Sequence, residues 1–173
     1  MRRVVVRSAV VLAVSLLLGY ALEWMKIHLN HYLHVLEQHP EFAALDAPDR
    51  AAWWMEHRPV ARVQYFEVRD AWGPLHGWDV DQVWWAKWAL AVLAVLVFFV
   101  LDMLLLAALN ARDRWPLLLA LYVCSGVCMA VGVGIVRGPS GYALAREFLG
   151  FLQSPLPSLF VALVARFRPA GQL

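Results

Sequence analysis

The sequence predicts an all-α integral membrane protein. Four transmembrane helices are expected, with a small extracytoplasmic cap, built of helices and at most one strand, between the first two. Three observations carry that reading. The 173 residues are 62% hydrophobic with a mean hydropathy of +0.59, whereas soluble domains are nearer half apolar. Four apolar runs approach the roughly 20 residues needed to cross about 30 Å of hydrocarbon. Basic residues cluster at alternate ends of those runs: Arg2, Arg3 and Arg7, then Arg112 and Arg114, then Arg166 and Arg168. That bias puts all three clusters, and both termini, on the cytoplasmic side of a bacterial inner membrane.

The first span occupies residues 1–25, with its apolar run from Val4 to Met25. Its basic start resembles a signal peptide, but "LLLGYALEWMK" lacks the small-x-small cleavage pattern, so it is expected to persist as an anchor. Residues 26–82 form the expected cap. The outward stretch from Glu23 to Lys87 holds ten acidic and six basic residues and all six histidines. It is too long for a simple loop. Within it, "EWMKIHLNHYLHVLEQHPEFAAL" has helical spacing, with Pro40 ending or bending the helix. "DAPDRAAWWMEHRP" reads as a short helix capped by Asp46 or Asp49 and stopped by Pro59. "VARVQYFEV" alternates and is β-branched, which predicts a strand from Val60 to Val68. "DAWGPLHGWDVD" is turn-rich. Trp72, Trp78, Trp84, Trp85 and Trp88 follow at a depth where indole rings favour the headgroup layer.

The second span covers residues 83–109, a short cytoplasmic link 110–115, and the third span 116–136. An outer interfacial segment occupies 137–153, including a helix from about Tyr142. Pro155 and Pro157 then disfavour a straight helix, which leaves a short fourth span at 154–168 and a tail at 169–173.

Net charge is only +2, so no basic field points to nucleic acid. The two cysteines, Cys124 and Cys128, lie in an apolar run, which excludes a disulfide framework. His28, His31 and His34 are spaced to share a metal ion on one helix face. The simpler reading makes them the wet face of a juxtamembrane helix. No cofactor is expected apart from a metal at that trio. Asp102 interrupts an otherwise uncharged span, and such a group faces a partner or a wet cavity. Asp102 could serve a proton or ion relay or form a salt bridge to Arg7 of the first span; the simpler reading, hydration near the cytoplasmic interface or structural pairing, is favoured, and within it structural pairing. "CSGVCMAVGVG" presents Gly126, Gly132 and Gly134 on a small-residue surface for close helix packing. Arg137 is a polar candidate at the outer surface, and Trp78, Trp84 and Trp85 are candidate contact residues.

The order of elements resembles signal peptidase II, the lipoprotein signal peptidase. "RDAWGPLHG" resembles that family's Asn-x-Gly stretch at Gly73. "GVGIVRG" is similar to its Gly-Asn-x-x-Asp-Arg stretch at Gly132 and Arg137. "FLQSPLPSLF" stands where the family has Asn-x-x-Asp. The family's two catalytic aspartates would fall near Val136 and Pro157, neither of which is acidic. The resemblance therefore implies a relative without that catalysis that still holds a lipid or a helical peptide. The letters Cys124-Ser125-Gly126 match an exosortase-like motif, but the histidine which that chemistry requires later in the chain is missing, since none follows His76.

These observations favour a non-catalytic accessory or scaffold subunit, in contact with the lipid bilayer and with a membrane-protein partner or further copies of itself. The alternatives are a membrane enzyme, either peptidase-like or dependent on a histidine-bound metal, and a small transporter subunit that uses Asp102.

Overall fold

The computed structural model describes residues 2–63, 66–68, 73–136 and 138–167. The chain is helical, with one very short hairpin. Three helices are long and apolar enough to cross a membrane, or four if a pair bent by 70° counts as one span. Two compact units are distinguished: residues 1–19 with 93–173, and residues 20–92.

Helix α1 (Arg2–Gln38) is 37 residues long. At about 1.5 Å per residue it reaches some 55 Å, and roughly 20 residues suffice for the hydrocarbon. The expected span and the juxtamembrane helix are thus one uninterrupted helix, longer than a single crossing needs. Pro40 stops it: α2 (Pro40–Ala43) is a single turn with Pro at its start.

In the 20–92 unit, α3 (Ala47–His57) starts on Asp46, whose Oδ1 accepts from the Asp49 N–H at 3.1 Å. This settles the cap between the two expected aspartates. Arg58 takes a left-handed conformation (φ 41°) and closes the helix onto the Trp54 carbonyl. The single strand expected over Val60–Val68 is instead a hairpin. Strand β1 (Ala61–Val63) pairs antiparallel with β2 (Phe66–Val68), with Val63 opposite Phe66. One alternating run supplies both strands because the chain reverses inside it; residues 64 and 65 lie outside the described residues. A 3₁₀ turn (Gly73–Gly77) leads to α4 (Val80–Ala108). Asp79 and Gln82 form a capping box: the Gln82 N–H donates to Asp79 Oδ1 at 2.8 Å and the Asp79 N–H to Gln82 Oε1 at 3.0 Å. Each side chain satisfies an orphan helix-end donor, so the helix begins three residues before the apolar run does.

In the other unit, α4 ends on Asn110, a left-handed residue at φ 58°. The Ala111 N–H reaches back to the Leu106 carbonyl at 2.8 Å, the closure that a left-handed C′ residue permits. After a 3₁₀ turn (Arg112–Arg114), α5 (Trp115–Val131) continues into a wider π-type turn (Gly132–Val136). Helices α6 (Gly138–Leu152) and α7 (Leu156–Phe167) follow. Helix α6 starts earlier than the expected interfacial helix. Leu106, Leu118, Tyr122, Leu152 and Val161 form the packed centre of this unit.

The expected glycine surface divides. A Cβ on Gly132 would lie 2.8 Å from the Gly141 backbone carbonyl, so α6 approaches α5 only because that position is bare. At Gly126 and Gly134 a Cβ would meet nothing within 4 Å. Close packing therefore belongs to Gly132 alone of the three. Gly132→Ala is expected to lose about 1–3 kcal/mol from the backbone shift it forces, whereas Gly126→Ala leaves stability unchanged or slightly raised. Thermal unfolding of the purified protein in detergent compares the two; equal losses would mean the close approach is not what Gly132 provides.

Candidate functional site

The break between α6 and α7 follows from two prolines. Had α6 run on, the Phe151 carbonyl would accept from residue 155, and Pro155 has no N–H. The Ser154 hydroxyl donates to Phe151 O instead, at 2.7 Å. The Leu156 N–H turns to Ser154 Oγ at 3.3 Å, which leaves the Leu152 carbonyl without its helical donor. The Tyr122 hydroxyl fills that place from α5, 3.1 Å from Leu152 O.

Asp102 of α4 ties these groups together. The Tyr122 hydroxyl also lies 2.9 Å from Asp102 Oδ2, and the Ser158 hydroxyl lies 2.6 Å from Asp102 Oδ1. Ser158 Oγ is in addition 3.0 Å from the Pro155 carbonyl. The Ser158 backbone N–H, in the first turn of α7, also serves Asp102. Helix N-termini favour negative charge, so Asp102 caps α7 from another helix. The carboxyl is 1% exposed. Its partners are hydroxyls and a backbone N–H, in place of the Arg7 salt bridge that the sequence left open; Arg7 is exposed on α1. Structural pairing is what the geometry provides, through residues the sequence reading did not name.

A second polar cluster lies in the 20–92 unit. Tyr32, at 0% exposure, has its ring 5.9 Å from Phe42, 5.7 Å from Trp54 and 6.1 Å from His76. Large rings bury about 150–250 Å² each, enough to give so short a segment a core. Arg50 is 8% exposed and is clamped on main-chain carbonyls: Nη1 donates to Trp78 O at 2.7 Å and His76 O at 3.2 Å, and Nη2 to Ala43 O at 2.6 Å. Its guanidinium lies 5.8 Å over the Phe42 ring. Trp78 contributes its carbonyl to the unit, and its side chain is half-buried.

The histidine trio separates. His31 is buried, with Nε2 bonded to the Pro59 carbonyl at 3.1 Å. His28 Nδ1 bonds to the Trp24 carbonyl at 2.9 Å, and its ring lies 4.0 Å from the Trp24 ring. His34 is exposed. Among the described residues, no three His, Cys, Asp or Glu groups are gathered as a metal site. Trp84 and Trp85 are exposed near the start of α4 and form an aromatic group with Trp88. Arg137, Arg69–Trp72 of the "RDAWGPLHG" stretch, and Arg168 lie outside the described residues.

Burial holds the His31 imidazole below its ordinary pKa, partly offset by the bond to Pro59. Burial, followed by the Arg50 guanidinium, does the same for His76. Burial raises the Tyr32 phenol.

No family model, curated protein or solved structure matches the chain. The resemblance to signal peptidase II rests on the residues quoted for it.

The Asp102 group can hold helices together but presents no exposed atom to a substrate. Tyr122→Phe and Ser158→Ala are each expected to lower stability by about 1 kcal/mol, and Asp102→Ala by more, because it removes the acceptor common to both hydroxyls and leaves a gap between α4 and α7. If the three act as one unit, Asp102→Ala/Tyr122→Phe costs less than the sum of its parts. Unfolding titrations in mixed detergent measure this, and strict additivity would refute the unit.

Proposed function

We propose that the protein is a non-catalytic multi-pass membrane scaffold, an accessory subunit that holds a partner's transmembrane helix. One observation carries this reading. Asp102, the ionisable side chain buried in the α4–α7 packing among the described residues, commits both carboxylate oxygens to internal donors. Aspartyl proteolysis needs two carboxylates sharing a proton, and transport needs a polar group open to a pathway. Neither requirement is favoured by a carboxyl whose oxygens are already engaged.

The surface for the partner is one face of α5. Leu119, Val123, Gly126, Val127 and Ala130 lie on it and are exposed. Gly126 and Ala130 are four apart, the spacing that lets a second helix approach closely in lipid. A partner helix is expected to be lost from Gly126→Ile and Ala130→Ile while the fold persists. Site-specific crosslinking from position 123 reads it out: a crosslink to a membrane protein in the native chain that vanishes in both variants supports the scaffold role. Crosslinks to lipid alone in every variant would overturn it.

The orientation proposed is the one the basic residues imply, both ends cytoplasmic in a bacterial inner membrane, with α6 and α7 together completing an even number of crossings. In a background lacking Cys124 and Cys128, a cysteine at His57 should react with an impermeant reagent in intact cells and one at Asp113 should not. The reverse pattern would invert the topology.

A further inference from the structure

The 20–92 unit contains a feature that the scaffold role does not use. Two imidazole nitrogens in its aromatic core, His31 Nδ1 and His76 Nδ1, are buried without a hydrogen-bond partner among the described residues. They belong to one neighbourhood. His31 and His76 flank the same Trp54 ring, at 5.3 and 6.0 Å. The Tyr32 ring stacks on Trp54 and faces His76. Arg50, beside both Tyr32 and His76, brings a permanent positive charge.

We propose that this core is an acid-sensitive latch, in which protonation of His31 and His76 opens the packing of α1, α3 and the 73–77 turn. The neutral His31 ring donates from Nε2 to Pro59 O and leaves Nδ1 as a bare lone pair. Adding a proton there creates a charged donor that faces no acceptor among the described residues, at 5% exposure. Adding a proton to His76 Nδ1 sets a second cation beside Arg50, which is already fixed on three carbonyls. The His31 ring cannot turn to water while the core is shut, and the half-buried His76 keeps its Nδ1 away from it. Once the core is open, both rings can turn to water.

The charged and titratable groups facing the two rings make this one-sided. Around His31 they are His28 and His34 on α1 itself; α3 offers the Trp54 ring, and the segment after it the Pro59 carbonyl. Around His76 they are Arg50 from α3 and the Tyr32 phenol from α1. No carboxylate among the described residues acts on either ring. A nearby carboxylate would reverse the effect by welcoming the added proton. Among the described residues, each added proton meets further positive charge or desolvation.

The sign follows from linkage. The open form binds protons at an ordinary histidine pKa, and the shut form binds them only at lower pH. The latch is therefore intact above about pH 6.5 and is lost as pH falls below that. At pH 5 the open-to-shut ratio rises by up to about 30-fold for each histidine.

Two measurements on the full chain in nanodiscs test the latch. Exchange of the imidazole C2 hydrogens, read by mass spectrometry, titrates each histidine separately; His31 and His76 should titrate below the ordinary histidine value of about 6.5. Amide exchange over residues 29–38 and 47–57, corrected for the intrinsic rate, should rise at least tenfold between pH 7.5 and 5.0. His31→Gln/His76→Gln should abolish that rise. An equal rise in the double variant, or a flat response in the native chain, overturns the proposal. Should the double variant already exchange freely at pH 7.5, His76→Gln alone decides: a diminished acid response supports the latch, and an unchanged one refutes it. Because none of these readouts involves the α5 face, they succeed or fail independently of the scaffold role.

Discussion

A backbone carbonyl inside a bilayer has no water to turn to, and each unsatisfied one costs several kcal/mol. Helices meet that constraint internally until a proline removes a donor. This chain places two prolines within three residues, at Pro155 and Pro157, in what would otherwise be a continuous apolar helix. The hydroxyls around the α6–α7 break answer the shortage in part: Ser154 donates to Phe151 O, while the single O–H of Tyr122 is shared between Leu152 O and Asp102 and that of Ser158 between Pro155 O and Asp102. Asp102 then holds Tyr122 and Ser158 in place. The buried acid is thus a consequence of the bend. Remove the prolines and the chain would have little reason to keep a carboxyl at that depth.

The same logic explains why Gly132 is needed for the internal packing of α5 and α6 when Gly126 and Gly134 are not. Helix α6 must come close to α5 for Tyr122 to reach Leu152. The Gly132–Gly141 contact sets that closeness, and the wider π-type turn beginning at Gly132 re-aims the chain toward α6. Gly126 and Gly134 lie on the same helix run without comparable crowding. Small residues permit approach in lipid, but only tertiary contact decides which of them is used.

Much of this was legible in the residues. Run length and hydropathy gave the long apolar helices, and Pro40, Asp46 and Pro59 marked element boundaries within a residue or two. Asp102 stood out because an ionisable group in an apolar run demands a partner. The identity of that partner was hidden for a physical reason. Charge pairing suggested Arg7, but hydroxyls suffice when the acid also caps a helix, and Tyr122 and Ser158 lie 20 and 56 residues away in sequence. An inventory of side-chain O–H donors in the spans would have brought both forward. Arg50 was harder to see. An arginine in a short polar helix reads as solvated, and only the carbonyls of Ala43, His76 and Trp78 converging on it reveal otherwise. The hairpin was mistaken for one strand because alternation continues straight through its reversal.

The two polar groups differ in a way that bears on which part of the molecule yields first. Around Asp102, hydroxyls and carbonyls answer one another in a closed set, and opening it would expose carbonyls to hydrocarbon. In the 20–92 unit, aromatic area carries the packing, while His31 Nδ1 and His76 Nδ1 go without partners among the described residues. A buried polar atom left unsatisfied costs about 1–3 kcal/mol, and that debt is cancelled whenever the unit opens to water. Local opening draws on regions whose packing is least complete. The residues that give this segment its core are therefore also the ones that set the terms on which it comes apart.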